Sequence, residues 1–143
     1  GKHDVFQPLP AVTVETFPST DEGVAWMVTA EDKAIFHAGD LNWWHWEGEP
    51  KADNGTMAAN FKAFTEPLRG RRIDLAMVPL DGRLKEAEDW GLCYLLDLAE
   101  LRTVIPMHQW EDYSPTERFL QKHPEQAGRI LPVTQEPQSW EIP

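Results

Sequence analysis

Residues 73–80 read IDLAMVPL and run straight into Asp81-Gly82-Arg83. One aspartate aside, the stretch is apolar throughout and closes on turn residues. This is the pattern of a strand covered on both faces rather than one that alternates between core and water. Behind it, Leu84, Ala87, Trp90 or Gly91, Tyr94 or Leu95, and Leu98 recur at helical spacing across 84–101. A second apolar strand, RTVIPMH (102–108), follows. Strand, helix and strand in that order mean helices laid on a sheet.

Upstream, AVTVETF (11–17), GVAWMVTA (23–30) and AIFHAGD (34–40) are rich in β-branched residues and separated by short turns. They are expected to form an antiparallel meander. Residues 1–10, broken by Pro8 and Pro10, read as a loose lead-in. Met57, Phe61, Phe64 and Leu68 mark a helix over 55–68, capped by Asn54 and stopped by Pro67 and Gly70. SPTERFLQKH (114–123) is a helix with Ser114 as N-cap, Pro115 in its first turn and Glu117 completing a capping box. RILPV (129–133) and SWEI (139–142) are expected as short closing strands. The whole, 1–143, fits one α/β (α+β) domain with a mixed sheet.

The bulk numbers narrow the function. A net charge of −11 argues against binding a phosphate backbone. The one basic cluster, Arg69, Arg71 and Arg72, reads as a solvated loop or helix end. No apolar run approaches the roughly 20 residues of a membrane span. Cys93 is the only cysteine, so no internal disulfide forms, and LCYLL around it reads as core. A reducing, cytoplasmic location is expected. Gly1 in place of Met reads as a cleavage scar or an internal boundary.

Three strand ends carry reactive groups: Asp40, Asp81 and His108. Loops at one edge of a rigid sheet are where binding and catalytic residues gather. A carboxylate and an imidazole there are candidate ligands for a divalent metal, and zinc accepts both. Asp40 reads equally as a turn acid, and His108 alone reads as a satisfied core histidine. His37, His45 and Asp21 are further candidates for the metal or the site edge. His3 and His123 read as tail and surface. LNWWHW (41–46) places three indoles beside His45, and Trp43, Trp44 and Trp46 cannot all face one core. With Asn42, Asp81, Arg83 and Trp110 they are the candidate substrate pocket. Arg83 either pairs with Asp81 or binds an anionic substrate.

Taken together, the meander into HAGDLNWWHW, the strand ending in VPLDGR and the strand ending in PMHQWEDY resemble the C-terminal half of metallo-β-lactamase-fold hydrolases. The resemblance runs from about Val12 to Trp140. It implies half of a four-layer αββα sandwich with metal at the sheet edge. Asp40, the candidate catalytic residue, would match the family's metal-binding, often metal-bridging aspartate, and His108 the last metal-binding histidine. The implied activity is hydrolysis of an ester, lactone, amide or phosphodiester in a small-molecule substrate by metal-activated water, with zinc or another divalent metal such as manganese. The family's His-x-His-x-Asp-His motif belongs to an N-terminal half, and this chain contains no His-x-His. The resemblance therefore implies a fragment, inactive until completed by the missing half or a second copy of the chain. The alternative is a metal-free half-domain that uses Trp43–Trp46 to bind a small ligand or to oligomerise.

Overall fold

The structure, a computed structural model, describes residues 2–143. Its centre is a six-stranded mixed sheet in the order β1-β2-β3-β4-β6-β8. Strands β1 (Asp4–Leu9), β2 (Val12–Pro18), β3 (Val24–Ala30) and β4 (Lys33–His37) form the antiparallel meander. The β3–β4 turn has positive φ at both central residues, Glu31 (50°) and Asp32 (63°), the backbone twist that two-residue hairpins favour. Beyond β4 the ladder turns parallel: β4 pairs with β6 (Leu75–Pro79), and β6 with β8 (Val104–Met107). Short strands β5 (Arg72–Ile73) and β7 (Glu100–Leu101) pair beside it.

Helix α1 (Lys51–Thr65) connects β4 to the parallel strands, α2 (Trp90–Leu98) links β6 to β7 and β8, and α3 (Ser114–Lys122) follows β8. Parallel neighbours need such crossovers, because a hairpin cannot return the chain in the same direction. None of these helices is long and apolar enough to cross a membrane.

The two faces of the sheet have different fates. The register aligns Glu15, Met27, Phe36, Ala76 and Val104 across the strands on one side. That side is buried, and Phe61, Leu92, Leu95 and Phe119 from the helices complete its core. The adjacent rows, Val14-Val28-Ile35-Leu75 and Trp26-His37-Met77-Ile105, point the other way. They are only partly covered: Trp26 is 41% exposed and Ile35 40%. Segment 131–143 runs beside this outer face, where the Lys33 ammonium donates to the carbonyl of Pro143 (3.4 Å).

Several expectations change. Residues 4–9 are not a loose lead-in but edge strand β1, and Gly1 lies outside the described residues. The run 73–80 breaks at Asp74, whose carboxylate accepts from the Ala34 amide (2.9 Å) and so ties β4 in place of a backbone partner. Its strand is covered on one face, not both, since Leu75 and Met77 lie on the open side. Helix α1 begins at Lys51, and Asn54 sits inside it, its amide bracketing both backbone groups of Trp46 (3.2 and 2.9 Å). The helix expected over 84–101 is shorter: α2 starts only at Trp90, and the preceding residues form a 3-10 segment, Gly82–Ala87, kinked at Lys85 by φ +57°. Ser114 is the first residue of α3 and not its cap; the N-cap is Tyr113, and the Asp112 carboxylate before it accepts from the Ser114 amide (3.1 Å) and hydroxyl (2.6 Å). Neither closing strand forms: Ile130 makes a single bridge to Val104, and 139–142 is irregular.

The basic cluster is solvated at Arg69 and Arg72, and each of its arginines is also paired with an acid. Arg69 pairs with Glu66, Arg72 with Asp74, and Arg71 grips Glu15 through two bonds of 2.8 and 2.7 Å. Arg71 holds the Glu15 carboxyl below the usual carboxylate range, against the opposing effect of burial. His3 is part of this arrangement and not a free tail, with Nε2 2.9 Å from Glu15 and its ring stacked on Phe17.

Candidate active site at the ends of the parallel strands

The chain leaves β4, β6 and β8 at the same end of the parallel ladder, and each exit carries one reactive residue. After β4, Gly39 takes φ +56°, and a Cβ there would lie 3.1 Å from the Val24 carbonyl, so glycine is required on both counts. That turn presents Asp40. After β6 comes Asp81, fully buried. After β8 the backbone is left-handed at His108 (65°), Trp110 (53°) and Glu111 (62°). Such residues cost about 1–3 kcal/mol each and gather at functional sites. Gln109 between them is buried and donates to the Thr116 hydroxyl (2.8 Å), which anchors the strained loop to α3.

Asp81 organises the cluster. Its carboxylate accepts from the Arg83 amide (2.9 Å) and guanidinium (2.7 Å) and from the Trp110 indole (3.2 Å), and lies 2.8 Å from His108 Nδ1. Burial alone would raise its pKa. The bonds from Arg83, His108 and Trp110 outweigh burial and hold it below the ordinary aspartate range. With Nδ1–H directed at Asp81, the His108 Nε2 lone pair points outward, where it meets Asp40 Oδ1 at 3.3 Å.

The indoles separate as the sequence requires. Trp44 is buried, donates to the Asp40 carbonyl (2.8 Å), packs edge-on to His108 (5.1 Å between ring centres) and stacks on Trp46 (6.0 Å). Arg83 lies over Trp46 (5.5 Å) and over Trp110 (4.9 Å), and Trp110 is 67% exposed. Trp43 turns the other way, against Phe61, Trp90 and Tyr94.

Of the expected site residues, the structure brings together Asp40, Trp44, Trp46, Asp81, Arg83, His108 and Trp110. It does not bring the others to them. Asn42 is buried with its backbone held by Thr20, and it lies so close to α2 that only glycine fits at Gly91. Its place is under the site, not in a pocket. Trp43 belongs to the helix-side packing, and His45 leans on Trp90 (4.6 Å). His37 lies on the open sheet face, where its Nδ1 accepts from Gly39 N (3.0 Å). It borders a shallow depression with Asp40, Trp26 and Glu22, an acid the sequence reading passed over. Asp21 is exposed, and its amide donates to the Ser19 hydroxyl. Asp81, read as a pocket wall, is inaccessible and acts through His108. Among the described residues, no third His, Cys, Asp or Glu joins Asp40 and His108 at mutual ligand distance. A hollow of about 560 Å³ is on the other side of the indole wall, lined by Trp43, His45, Trp46 and Trp90 among others. Burial pushes the Cys93 thiol up to about 11.

Asp81→Asn tests the organising role. Arg83 is half exposed, so the expected loss is about 2 kcal/mol at neutral pH rather than the ~3–5 of a fully buried pair. Because the folded-state pKa is depressed, the stabilisation is present above the unfolded value of roughly 3.9 and is lost as pH falls through the folded value. Urea unfolding at a series of pH values should therefore show the gap to the unmodified chain closing only in strong acid. A gap independent of pH would rule the carboxylate out as its source.

No family model and no curated protein sequence matches the chain. Solved structures that resemble it include two assigned as hydrolases. One, from Parabacteroides distasonis ATCC 8503 and assigned as a metal-dependent hydrolase, aligns over 94% of this chain at a TM-score of 0.61 and 13% identity. The other, from Thermotoga maritima and assigned as a Zn-dependent hydrolase of the metallo-β-lactamase superfamily, covers 85% of the chain at a TM-score of 0.46 and 19% identity. The chain spans 56% of the length of the first and 57% of the second. The first of these shares the fold of this chain, one mixed sheet with helices packed on it, and the chain corresponds to about half of that structure.

Proposed function

We propose that this chain supplies half of a metal-dependent hydrolase site, in which Asp40 and His108 ligate a divalent ion, zinc or manganese. The observation that carries this reading is the 3.3 Å approach of His108 Nε2 to Asp40 Oδ1, with the other ring nitrogen tied to a buried carboxylate. Two donors ~2.0–2.2 Å from a shared tetrahedral ion lie roughly 3.4 Å apart, so the pair fits two corners of such a site. When bound, the ion acidifies water and polarises an ester, lactone, amide or phosphodiester. Asp81 fixes the ring of His108. Arg83, held between Trp46 and Trp110, offers a cation to an anionic group on a small substrate. Trp44 shields the ligand pair from one side.

Two ligands hold an ion weakly. The reading is therefore completed by a partner on the open sheet face, either an N-terminal half with its own histidines or a second copy of the chain. The two exposed rows that contain Trp26 and Ile35 support this, since apolar patches of that kind mark contact surfaces. A reducing, cytoplasmic setting suits the lone free thiol.

Manganese binding is the direct test, because that ion favours oxygen and imidazole over thiolate. Calorimetric titration should show weak binding to the chain alone. Co-expression with a half-domain carrying His-x-His-x-Asp-His should strengthen it about 100-fold, and Asp40→Ala should then weaken it at least ~10-fold. Unchanged affinity in Asp40→Ala would sink the proposal. For the partner surface, Ile35→Lys is expected to return a self-associating chain to the 16.4 kDa of a monomer in light scattering. A monomer before and after substitution would leave the N-terminal half as the occupant and remove the second copy.

The hollow of about 560 Å³ beside Trp43, Trp46 and Trp90 favours a second reading, metal-free binding of a sugar or aromatic metabolite. Tryptophan emission should then respond to such ligands in the presence of a chelator. Silence across a broad panel would remove this reading.

A further inference from the structure

Outside the strand-end cluster, one group of side chains brings together three different donor chemistries. Asp89 and Cys93 are four residues apart at the start of α2, where the Cys93 amide donates to the Asp89 carbonyl (2.8 Å). That spacing sets both side chains on one helix face. His123 closes α3 and leans over them, its ring on Phe119 (4.9 Å). Its Nε2 lies 3.6 Å from Cys93 Sγ and 3.6 Å from Asp89 Oδ2. Among the described residues, this is the only group of three His, Cys, Asp or Glu donors whose ligand atoms all lie within 4.8 Å of one another.

We propose that Asp89, Cys93 and His123 form a second cation site, for a zinc-type ion, separate from Asp40 and His108 and sharing no residue with them. The distances fit. An ion ~2.3 Å from sulfur and ~2.0–2.1 Å from nitrogen in tetrahedral geometry sets those atoms roughly 3.6 Å apart. A thiolate, an imidazole and a carboxylate together select zinc over calcium or magnesium. Glu125 Oε1 lies 3.5 Å from His123 Nδ1, on the side where an outer carboxylate turns a ligating ring's other nitrogen toward the metal.

Two further observations point to a ligand. The hollow of about 130 Å³ that Cys93 and His123 line is large enough for an ion and a water. Gln126 lines the same hollow, and its Oε1 is buried without a hydrogen-bond partner, a spare neutral oxygen for the fourth position. Without an ion, Cys93 Sγ and His123 Nε2 are within reach of a sulfur hydrogen bond, but 3.6 Å is too long for one between the imidazole and the Asp89 carboxylate. Lys122 Nζ, also 3.6 Å from Asp89 Oδ2, is the competing cation, and its side chain is half exposed and free to swing into water. On binding, the Cys93 thiol loses its proton to solvent and its sulfur becomes a thiolate ligand.

The lone cysteine makes the test specific, since any thiolate–metal signal from this chain arises at Cys93. Cobalt(II) titration of the full chain should give a thiolate-to-cobalt charge-transfer band that saturates at one ion per chain. Cys93→Ser should abolish the band, His123→Ala should weaken the affinity at least ~10-fold, and His108→Ala should leave both intact. In the unmodified chain, zinc should slow alkylation of Cys93 at least ~10-fold, a readout that needs no variant to fold. No band at saturating cobalt, or alkylation indifferent to zinc, would overturn the proposal. A band of equal affinity in a folded His123→Ala would also overturn it.

Discussion

The buried carboxylate of Asp81 is the constraint on which the strand-end cluster depends. It sits at the end of β6, the strand between β4 and β8, and it binds a residue of its own turn and two from the loop after β8. Taking a carboxylate out of water is costly unless each oxygen is satisfied. Here the satisfaction comes from groups that would otherwise be loose: a guanidinium, an imidazole and an indole. The same bonds that keep Asp81 ionised orient the His108 ring and aim its free nitrogen at Asp40. The stability of the turn and the chemistry of the edge are one set of hydrogen bonds.

The left-handed loop after β8 gains its meaning from this arrangement. An ordinary strand exit at Met107 would carry His108 along the strand direction. Positive φ at His108, Trp110 and Glu111 folds the chain back instead, so that His108 and Trp110 both reach the same carboxylate. Gln109 is buried beside Thr116 and holds the bend from below. Strain, anchor and site lie within four consecutive residues.

The parts of the fold legible in the sequence are those written in apolar runs, apolar periodicity and helix-start residues. The meander from β2 to β4, the parallel pair β6 and β8, and α3 each carry a burial pattern of period two or near 3.6. Strand β1 carries none: it is an exposed edge joined to β2 by backbone bonds alone, and prolines disguise it. The breaks at Asp74 and Lys85 were equally silent, because one depends on a side chain replacing a backbone partner and the other on a φ angle. At the site, Asp40 and His108 could be picked out as polar residues closing apolar strands. The role of Asp81 could not, since an acid before glycine looks like a surface turn. Cys93 and His123 are 30 residues apart, and only the packing of α2 against α3 brings them together.

Strand β1 has a consequence for the chain as a material. Its outer edge has no neighbouring strand among the described residues, and Val5, Phe6 and Leu9 on it are all exposed. An unprotected edge with apolar side chains templates the addition of further strands from other molecules. Phe6 pairs with Val14 and so continues the open row that runs through Val28 and Ile35. A partner seated on that row would cover Phe6 as well, so one contact would quench both the greasy face and the start of a fibre.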